Sequence, residues 1–198
     1  MAGLKEILPG IFTWEHYVVS KGILINGFYL KKEQVFLDPP KMDPYELLEI
    51  GRLGAPKDII ITNRDHARDA EHYRSYFKTR PRIWINEAEK EAAAIQIDKT
   101  FRHKEKLPGN IFAMQVENNK ATGETALWLE KHKALVFGDA LIGAPPGELN
   151  LLPRLQPSKE AREGVRPLLG LDFSHVLVAH GAHIIGDGRK VIEGFLSR

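Results

Sequence analysis

The sequence predicts an α+β fold in which two mixed half-units stack sheet against sheet, with helices on the outside. Three observations predict it. Short runs rich in Val, Ile, Phe and Tyr alternate with stretches of helical composition, in the order strands, helices, strands, helices. Two apolar runs, Val136-Phe137-Gly138-Asp139 and Val176-Leu177-Val178-Ala179-His180-Gly181, each stop at a metal-ligand residue beside a glycine. A chain of 198 residues is long enough for one sizeable core, so residues 1–198 read as a single domain.

From Ile11 to Leu37 apolar residues alternate or run in short blocks, broken at Lys21-Gly22 and Lys31-Lys32-Glu33, which is strand and hairpin composition. Asp43-Pro44 opens a helix through Arg52, because aspartate caps free backbone N–H groups and proline fits the first helical position; Gly54-Ala55-Pro56 ends it. Ile59-Ile60-Ile61 is a strand buried on both faces. Residues 68–78 read as a helix with Tyr73 and Phe77 on one face, and residues 87–95 as a second helix of alanine and glutamate. Strands follow over residues 111–116, 125–129 and 134–137. Ser158 caps a helix reaching Leu169, and a last helix runs from Gly188 to Leu196. The loop Gly143-Ala144-Pro145-Pro146-Gly147-Glu148-Leu149 follows the Asp139 strand, and its paired prolines favour an extended pocket wall. Trp14, Trp84 and Trp128 lie in strand patterns and read as core or pocket lining.

Bulk composition narrows the function. With 28 basic against 26 acidic side chains, the net charge of +2 gives no field for nucleic acid. The absence of cysteine rules out a disulfide framework, a thiolate metal site and a cysteine nucleophile, so any metal must use imidazole and carboxylate. Met1-Ala2-Gly3-Leu4-Lys5-Glu6 is charged early and does not read as a secretory signal. No stretch approaches the roughly 20 apolar residues of a membrane span, and the expectation is a soluble, cytoplasmic protein with neither membrane nor nucleic-acid partner. Neither a glycine-rich phosphate loop nor a Gly-x-Ser-x-Gly elbow occurs, which leaves dinucleotide redox, kinase and serine acyl-transfer chemistry without support.

Several anchors recur in order. They are Ile25-Asn26-Gly27-Phe28-Tyr29-Leu30, Val35-Phe36-Leu37-Asp38-Pro39, Asp58-Ile59-Ile60-Ile61-Thr62, Arg82-Ile83-Trp84-Ile85-Asn86-Glu87-Ala88-Glu89 and Thr122-Gly123-Glu124-Thr125-Ala126-Leu127-Trp128-Leu129, then the Asp139 and His180 strands. Through them the chain resembles the metallo-β-lactamase superfamily over most of its length. The resemblance implies a four-layer αββα sandwich, metal-dependent hydrolysis at the strand ends, and an Asp38 that braces the site from behind.

The departure from the family pattern is concentrated in one loop. After the threonine the family reads His-x-His-x-Asp-His, whereas this chain reads Asn63-Arg64-Asp65-His66-Ala67-Arg68-Asp69. Without a gap, Asn63 and Asp65 stand at the first two histidines, and Ala67-Arg68 replaces the Asp-His pair. A two-residue deletion would instead make Asp65-His66 that pair. The distance from Thr62 to the Arg82 strand suits the ungapped register. The family's next histidine falls on Lys120, whose ammonium has three donors and no acceptor and cannot coordinate a cation.

Two functional readings follow. In the first, the site is reduced to one divalent metal, zinc, iron or manganese, held by Asp65, Asp139 and His180, with His66 or water completing the sphere and Asp65 or His66 orienting the water that hydrolyses an ester, thioester, amide or phosphoester. In the second, no metal binds, and Lys120, Arg64 and Arg68 neutralise the carboxylates of a non-catalytic binding or scaffolding protein. Either way Arg64, Arg68 and Lys120 are the candidate contacts for a small anionic substrate or ligand, while Asn63, Asp38 and His183 are supporting positions. Asn63 or Asp65 reads equally as the cap of the following helix, and Asp139 as a strand-ending turn. His16, His72, His103 and His132 stand in polar company and read as surface, His175 as loop.

Overall fold

The first seven strands pair in chain order into one sheet: β1 (Lys5–Leu8), β2 (Ile11–Val18), β3 (Ile23–Leu30), β4 (Val35–Leu37), β5 (Asp58–Ile61), β6 (Arg82–Asn86) and β7 (Lys99–Phe101). Hairpins make β1 to β4 antiparallel. From β4 onward the pairing is parallel. The crossovers are built on helices, α1 (Pro44–Leu53) before β5 and α2 (Ala70–Tyr76) before β6, because a parallel return needs a long connection. The second sheet has the order β12-β11-β10-β9-β8, from β8 (Lys106–Leu107), β9 (Ile111–Gln115), β10 (Thr125–Leu129), β11 (Ala134–Phe137) and β12 (His175–Val178). Only β11 and β12 run parallel there, joined through α3 (Lys159–Glu163). The chain closes with α4 (Gly188–Ser197). This computed structural model describes residues 3–156 and 158–198; Met1 and Ala2, which head the charged N-terminal stretch, lie outside them.

The period-two geometry of a strand explains the layering. Val35, Leu37 and Ile60 of the first sheet meet Ala134, Val136 and Leu177 of the second in a core between the sheets. Phe36, Ile59 and Ile61 point the other way, onto Ile50 of α1 and Tyr73 of α2. Leu135, Phe137, Val176 and Val178 likewise turn to Ala161 of α3 and to Ile192 and Phe195 of α4. Helices, sheet, sheet, helices is the four-layer αββα sandwich that the resemblance implied. No helix among the described residues is long and apolar enough to cross a membrane.

Helix α1 begins as expected: the Asp43 carboxylate accepts from Tyr45 and Glu46 N–H, and Glu46 accepts back from Asp43 N–H. Three other elements differ from expectation. The helix expected from residue 68 starts at Ala70, because Arg68 holds φ at 40° and a left-handed residue cannot continue a right-handed helix. The helix expected over 87–95 is a 3-10 segment ending at Ala92. Beyond it Ala93, Ile95 and Ile97 alternate between part-buried and exposed neighbours, packing as extended chain. The helix expected from Ser158 to Leu169 stops at Glu163 and resumes as a 3-10 segment over Arg166–Gly170. Pro167 has no N–H for Glu163, and Gly164 packs so close to Glu117 that a Cβ would lie 2.2 Å from its carbonyl oxygen. Of the three tryptophans, Trp14 is core; Trp84 and Trp128 are partly buried against core clusters.

Phe36 is the hub of the helix-side core. Its ring lies 5.5 Å from Trp14, 5.3 Å from Tyr29, 5.3 Å from Tyr73 and 6.0 Å from Phe77. Phe36→Ala therefore leaves a cavity among four aromatic rings, and the expected loss is about 3–5 kcal/mol, read as a lowered urea midpoint. A loss under about 1 kcal/mol would contradict this packing.

Candidate metal centre

Parallel pairing of β11 with β12, Phe137 opposite Val178, makes both strands leave the sheet at the same edge. Asp139 and His180 stand two residues past those partners, and the exits are pinned together by Gly143 N–H to the His180 carbonyl (2.9 Å) and Ala182 N–H to the Gly143 carbonyl (2.8 Å). In the other sheet, β4 and β5 also run parallel and deliver Asp38 and the Thr62–Asp69 turn to that edge. Asn26 of β3 joins the two sheets: its N–H donates to the Ala179 carbonyl, and its Nδ2 donates to the carbonyls of Val178 and Gly181.

The centre is built around a buried histidine between two buried carboxylates. His66 Nδ1 donates to Asp38 Oδ2 (2.8 Å), and His66 Nε2 lies 3.1 Å from Asp139 Oδ1. Thr62 supports Asp38 with its N–H on Oδ1 (2.8 Å) and its hydroxyl on Oδ2 (2.6 Å). His180 Nε2 approaches the same Asp139 Oδ1 at 3.1 Å, so two imidazoles converge on one oxygen. The other oxygen, Oδ2, accepts from Lys120 Nζ at 2.6 Å, and Lys120 also binds Asp65 Oδ2. Arg68 Nη1 donates to the carbonyls of Asn26 and Asp38.

Burial and pairing compete at each group. Burial and the Arg68 charge push His66 down, yet Asp38 and Asp139 outweigh them and raise it to about 9. Burial lifts Asp139, but His66, His180 and Lys120 hold it far below the ordinary carboxylate range. Glu124, fully buried and beside Asp139, is pushed up to about 8, first by burial and then by that neighbouring charge. It therefore carries a proton near neutrality, while accepting from Asp139 N–H (2.9 Å) and Asn63 Nδ2 (3.0 Å). Burial also lowers His180, against the pull of Asp139. Gly138 makes the close approach possible: a Cβ there would lie 2.1 Å from the Thr62 hydroxyl and 3.0 Å from His66 Nδ1.

These groups form the floor of a cavity of about 830 Å³, with His66, Lys120, Asp139 and His180 in its lining. Val18, Ile23, Leu24 and Ile25 of the β2–β3 hairpin wall one side, and Ile142, Ala144, Leu152 and Pro153 another. A family profile described as the metallo-beta-lactamase superfamily matches residues 3–197.

The chain belongs to the metallo-β-lactamase superfamily. Solved structures of that superfamily share its fold at low identity. The metallo-beta-lactamase from Pontibacter korlensis superposes with a TM-score of 0.77 at 14% identity, covering 100% of this chain and 98% of that one. A metallo-beta-lactamase family protein from Thermus thermophilus gives 0.73 at 18%, covering 97% and 80%. The enzyme FIM-1 from Pseudomonas aeruginosa, in its mono-zinc form, gives 0.73 at 11%, covering 99% and 93%. No match was found among curated proteins.

The structure brings Asp139 and His180 together as the strand exits implied, and of the two loop residues read as ligands it sets His66 beside them. His66, Asp139 and His180 each present one donor atom, all within 4.8 Å of one another. Asp65 of the expected ligand set is not in that group; it is tied to Lys120, with its side chain 47% exposed. Arg64, expected to face an anion, binds buried Glu89 (3.1 Å) and is not in the cavity lining, whereas Arg68, Lys120 and Asp65 are. Asn63 caps the short 3-10 turn after β5, accepting from Asp65 N–H, so the capping expectation holds alongside the site. His183 packs on Phe28, ring centroids 5.3 Å apart, and accepts from Val178 N–H. His16 was expected on the surface and lines the cavity, whereas His72 and His103 are exposed and His132 is partly buried. His175 was expected in a loop and begins β12. Sequence reasoning assigned no role to Asn26 or Glu124. Their signal was a polar side chain inside or beside an otherwise apolar strand.

Two outcomes test this geometry. Gly138→Ala should lower the melting temperature, the overpacking amounting to roughly 1–3 kcal/mol, because Thr62 and His66 cannot retreat without breaking their bonds to Asp38. His183 gives a pH dependence. Burial depresses it from 6.5 to about 4, so between those values the unfolded chain binds a proton that the folded chain does not. Stability should therefore be fully present above pH 6.5 and fall toward pH 4, by on the order of 3 kcal/mol from this residue. Urea melts of wild type and His183→Gln across that window check it; an identical slope in both would refute it.

Proposed function

We propose that the chain is a hydrolase working with one divalent metal held by His66, Asp139 and His180. The observation that carries this reading is the convergence of two imidazole Nε2 atoms and one carboxylate at a cavity floor. Three such donors with an open side toward solvent are the ligand set of a catalytic metal, and zinc, iron and manganese all suit it. The fit extends behind the ligands, where Asp38 holds Nδ1 of His66 and so fixes the ring. A mono-zinc form is described for FIM-1, so a single metal is compatible with this fold.

When bound, such a metal supplies Lewis acidity, which makes water more acidic and polarises the bond to be cut. The chain's own residues do the rest. Lys120 spends two N–H groups on Asp65 and Asp139 and keeps the third for negative charge on a substrate in the cavity. Arg68, also in the lining, adds positive charge beside it. Asp65, partly exposed, accepts a hydrogen bond from a water or substrate and orients it. The apolar hairpin wall suits a small anionic substrate with an apolar portion, cleaved at an ester, thioester, amide or phosphoester bond.

A second reading is favoured by one observation. His66 is raised to about 9, so its imidazolium together with Lys120 and Arg68 balances Asp38, Asp65 and Asp139 without any metal, as a non-catalytic binding protein would need. Elemental analysis after loading with zinc, manganese or iron separates the two. The hydrolase reading expects about one metal per chain, lost in Asp139→Ala and His180→Ala. Less than about a tenth of a metal under every loading condition would favour the binding protein.

A further inference from the structure

We infer that the edge of the sandwich opposite the cavity binds single-stranded nucleic acid, without regard to base sequence, on a ledge of cations beside an exposed tyrosine. The metal centre lies at the other edge and takes no part.

Strands β4, β5 and β6 run parallel, so all three begin at the edge away from Asp38 and the Thr62–Asp69 turn. The segments that enter them are bonded side by side. Lys57 N–H donates to the Gln34 carbonyl (2.7 Å) and Arg82 N–H to the Lys57 carbonyl (3.0 Å). Gln34 Nε2 donates to the Ala55 carbonyl (3.0 Å) and the Thr79 hydroxyl to the Pro56 carbonyl (2.6 Å). This ledge carries Lys31 and Lys32 before β4, Arg52 and Lys57 before β5, and Lys78 and Arg80 before β6. All of these side chains are exposed, and among the described residues none of them makes an ion pair. Neighbouring strands lie about 5 Å apart, so the charges follow one another at close intervals along the edge.

The acids here are withdrawn. Asp58 is buried and spent on Arg82 (2.9 Å) and Trp84 Nε1 (2.7 Å), and Glu33 is partly buried. On the adjoining β1–β2 turn, Glu6 accepts from Gly10 N–H (2.7 Å). The chain's balance of +2 therefore conceals one edge where positive charge stands uncancelled. Helix ends explain part of it: Arg52 lies in the last turn of α1, and Lys78 and Arg80 follow α2, where cations suit the free carbonyls. Lys31, Lys32 and Lys57 lie on no helix and are not explained that way.

Uncancelled cations in a row suit a chain of phosphates. The aromatic decides which kind. Tyr76, 47% exposed, ends α2 two residues before Lys78, and its ring stands edge-on to Phe77 with centroids 5.0 Å apart, which holds it in place. Such a ring takes an unpaired base by stacking. A duplex keeps its bases stacked inside and an acidic peptide has none, so neither uses it.

The test is fluorescence anisotropy of labelled oligo(dT) and oligo(U) of about 12 nucleotides, titrated with the purified full-length protein. Both should bind, and affinity should fall on the order of a hundredfold between about 50 and 200 mM salt, a log–log slope of about −4 at roughly 0.7 per neutralised phosphate. Lys57→Ala/Arg80→Ala should bind more weakly, with a slope shallower by about 1.4. Tyr76→Ala should lose roughly tenfold in affinity and keep the wild-type slope. Lys21→Ala/Arg154→Ala, which strips cations from the cavity lining, should bind as wild type. Should Lys57→Ala/Arg80→Ala lack the native circular dichroism spectrum, Lys31→Ala/Lys32→Ala takes its place with the same expectation. No binding at about 50 mM salt overturns the inference, and so does a folded ledge variant with the wild-type slope. A duplex of the same length, or polyglutamate, binding as tightly as the single strands overturns it too. Loss of binding in Lys21→Ala/Arg154→Ala would move the strand into the cavity and likewise end it.

Discussion

Asp139 is a carboxylate with almost no access to water, and an ionised carboxylate in that position costs several kcal/mol unless its surroundings answer the charge. Its partners come from separate parts of the chain. His66 arrives from the turn after β5, Lys120 from the connection between β9 and β10, and His180 from the end of β12. Its own N–H is accepted by Glu124, which the same negative charge helps to keep protonated. One buried group thereby ties both sheets together along the edge where the cavity opens. The effect reaches further through His66 to Asp38 and Thr62, so the polar seam continues deep into the first sheet.

Much of the fold was legible because period-two burial is written directly in residue type. The limits of β10 and β11 follow from Thr125-Ala126-Leu127-Trp128-Leu129 and Ala134-Leu135-Val136-Phe137 alone, and Asp43-Pro44 announces α1 through local capping chemistry. Where reading failed, long-range contacts had overruled local preference. Alanine and glutamate at 87–95 favour a helix, yet Glu89 is drawn inward to accept from Gly123 N–H and Arg64, and the chain beyond packs its isoleucines on alternate sides. The site divides in the same way. Asp139 and His180 announce themselves at strand ends, whereas exchanging Asp65 for His66 as the partner of Asp139 depends on which way a three-residue 3-10 turn aims each side chain. Adjacent residues on such a turn point in different directions, and nothing in the local sequence fixes which one faces the cavity.

The same division explains how structures at 11–18% identity keep one architecture. Layer geometry asks only for apolar side chains of suitable size at alternate positions, a demand that many sequences meet. The edge of the sandwich is held here by a few specific polar contacts instead. Asn26 spans β3 to the exit of β12, and Thr62 O accepts from Thr125 N–H across the two sheets. Lys120 and the Asn63–Asp69 turn rest on the same strand ends.

The neutral acid behind Asp139 has an electrostatic consequence. With Glu124 protonated, the floor counts three negative groups, Asp38, Asp65 and Asp139, against three positive ones, His66, Arg68 and Lys120. Such a floor projects little field beyond the mouth of the cavity, because each charge is cancelled within a few ångströms. Long-range attraction is left to Lys21 and Arg154 of the lining, set against Asp69, so the walls and not the floor decide how the rate of encounter with a charged molecule varies with ionic strength.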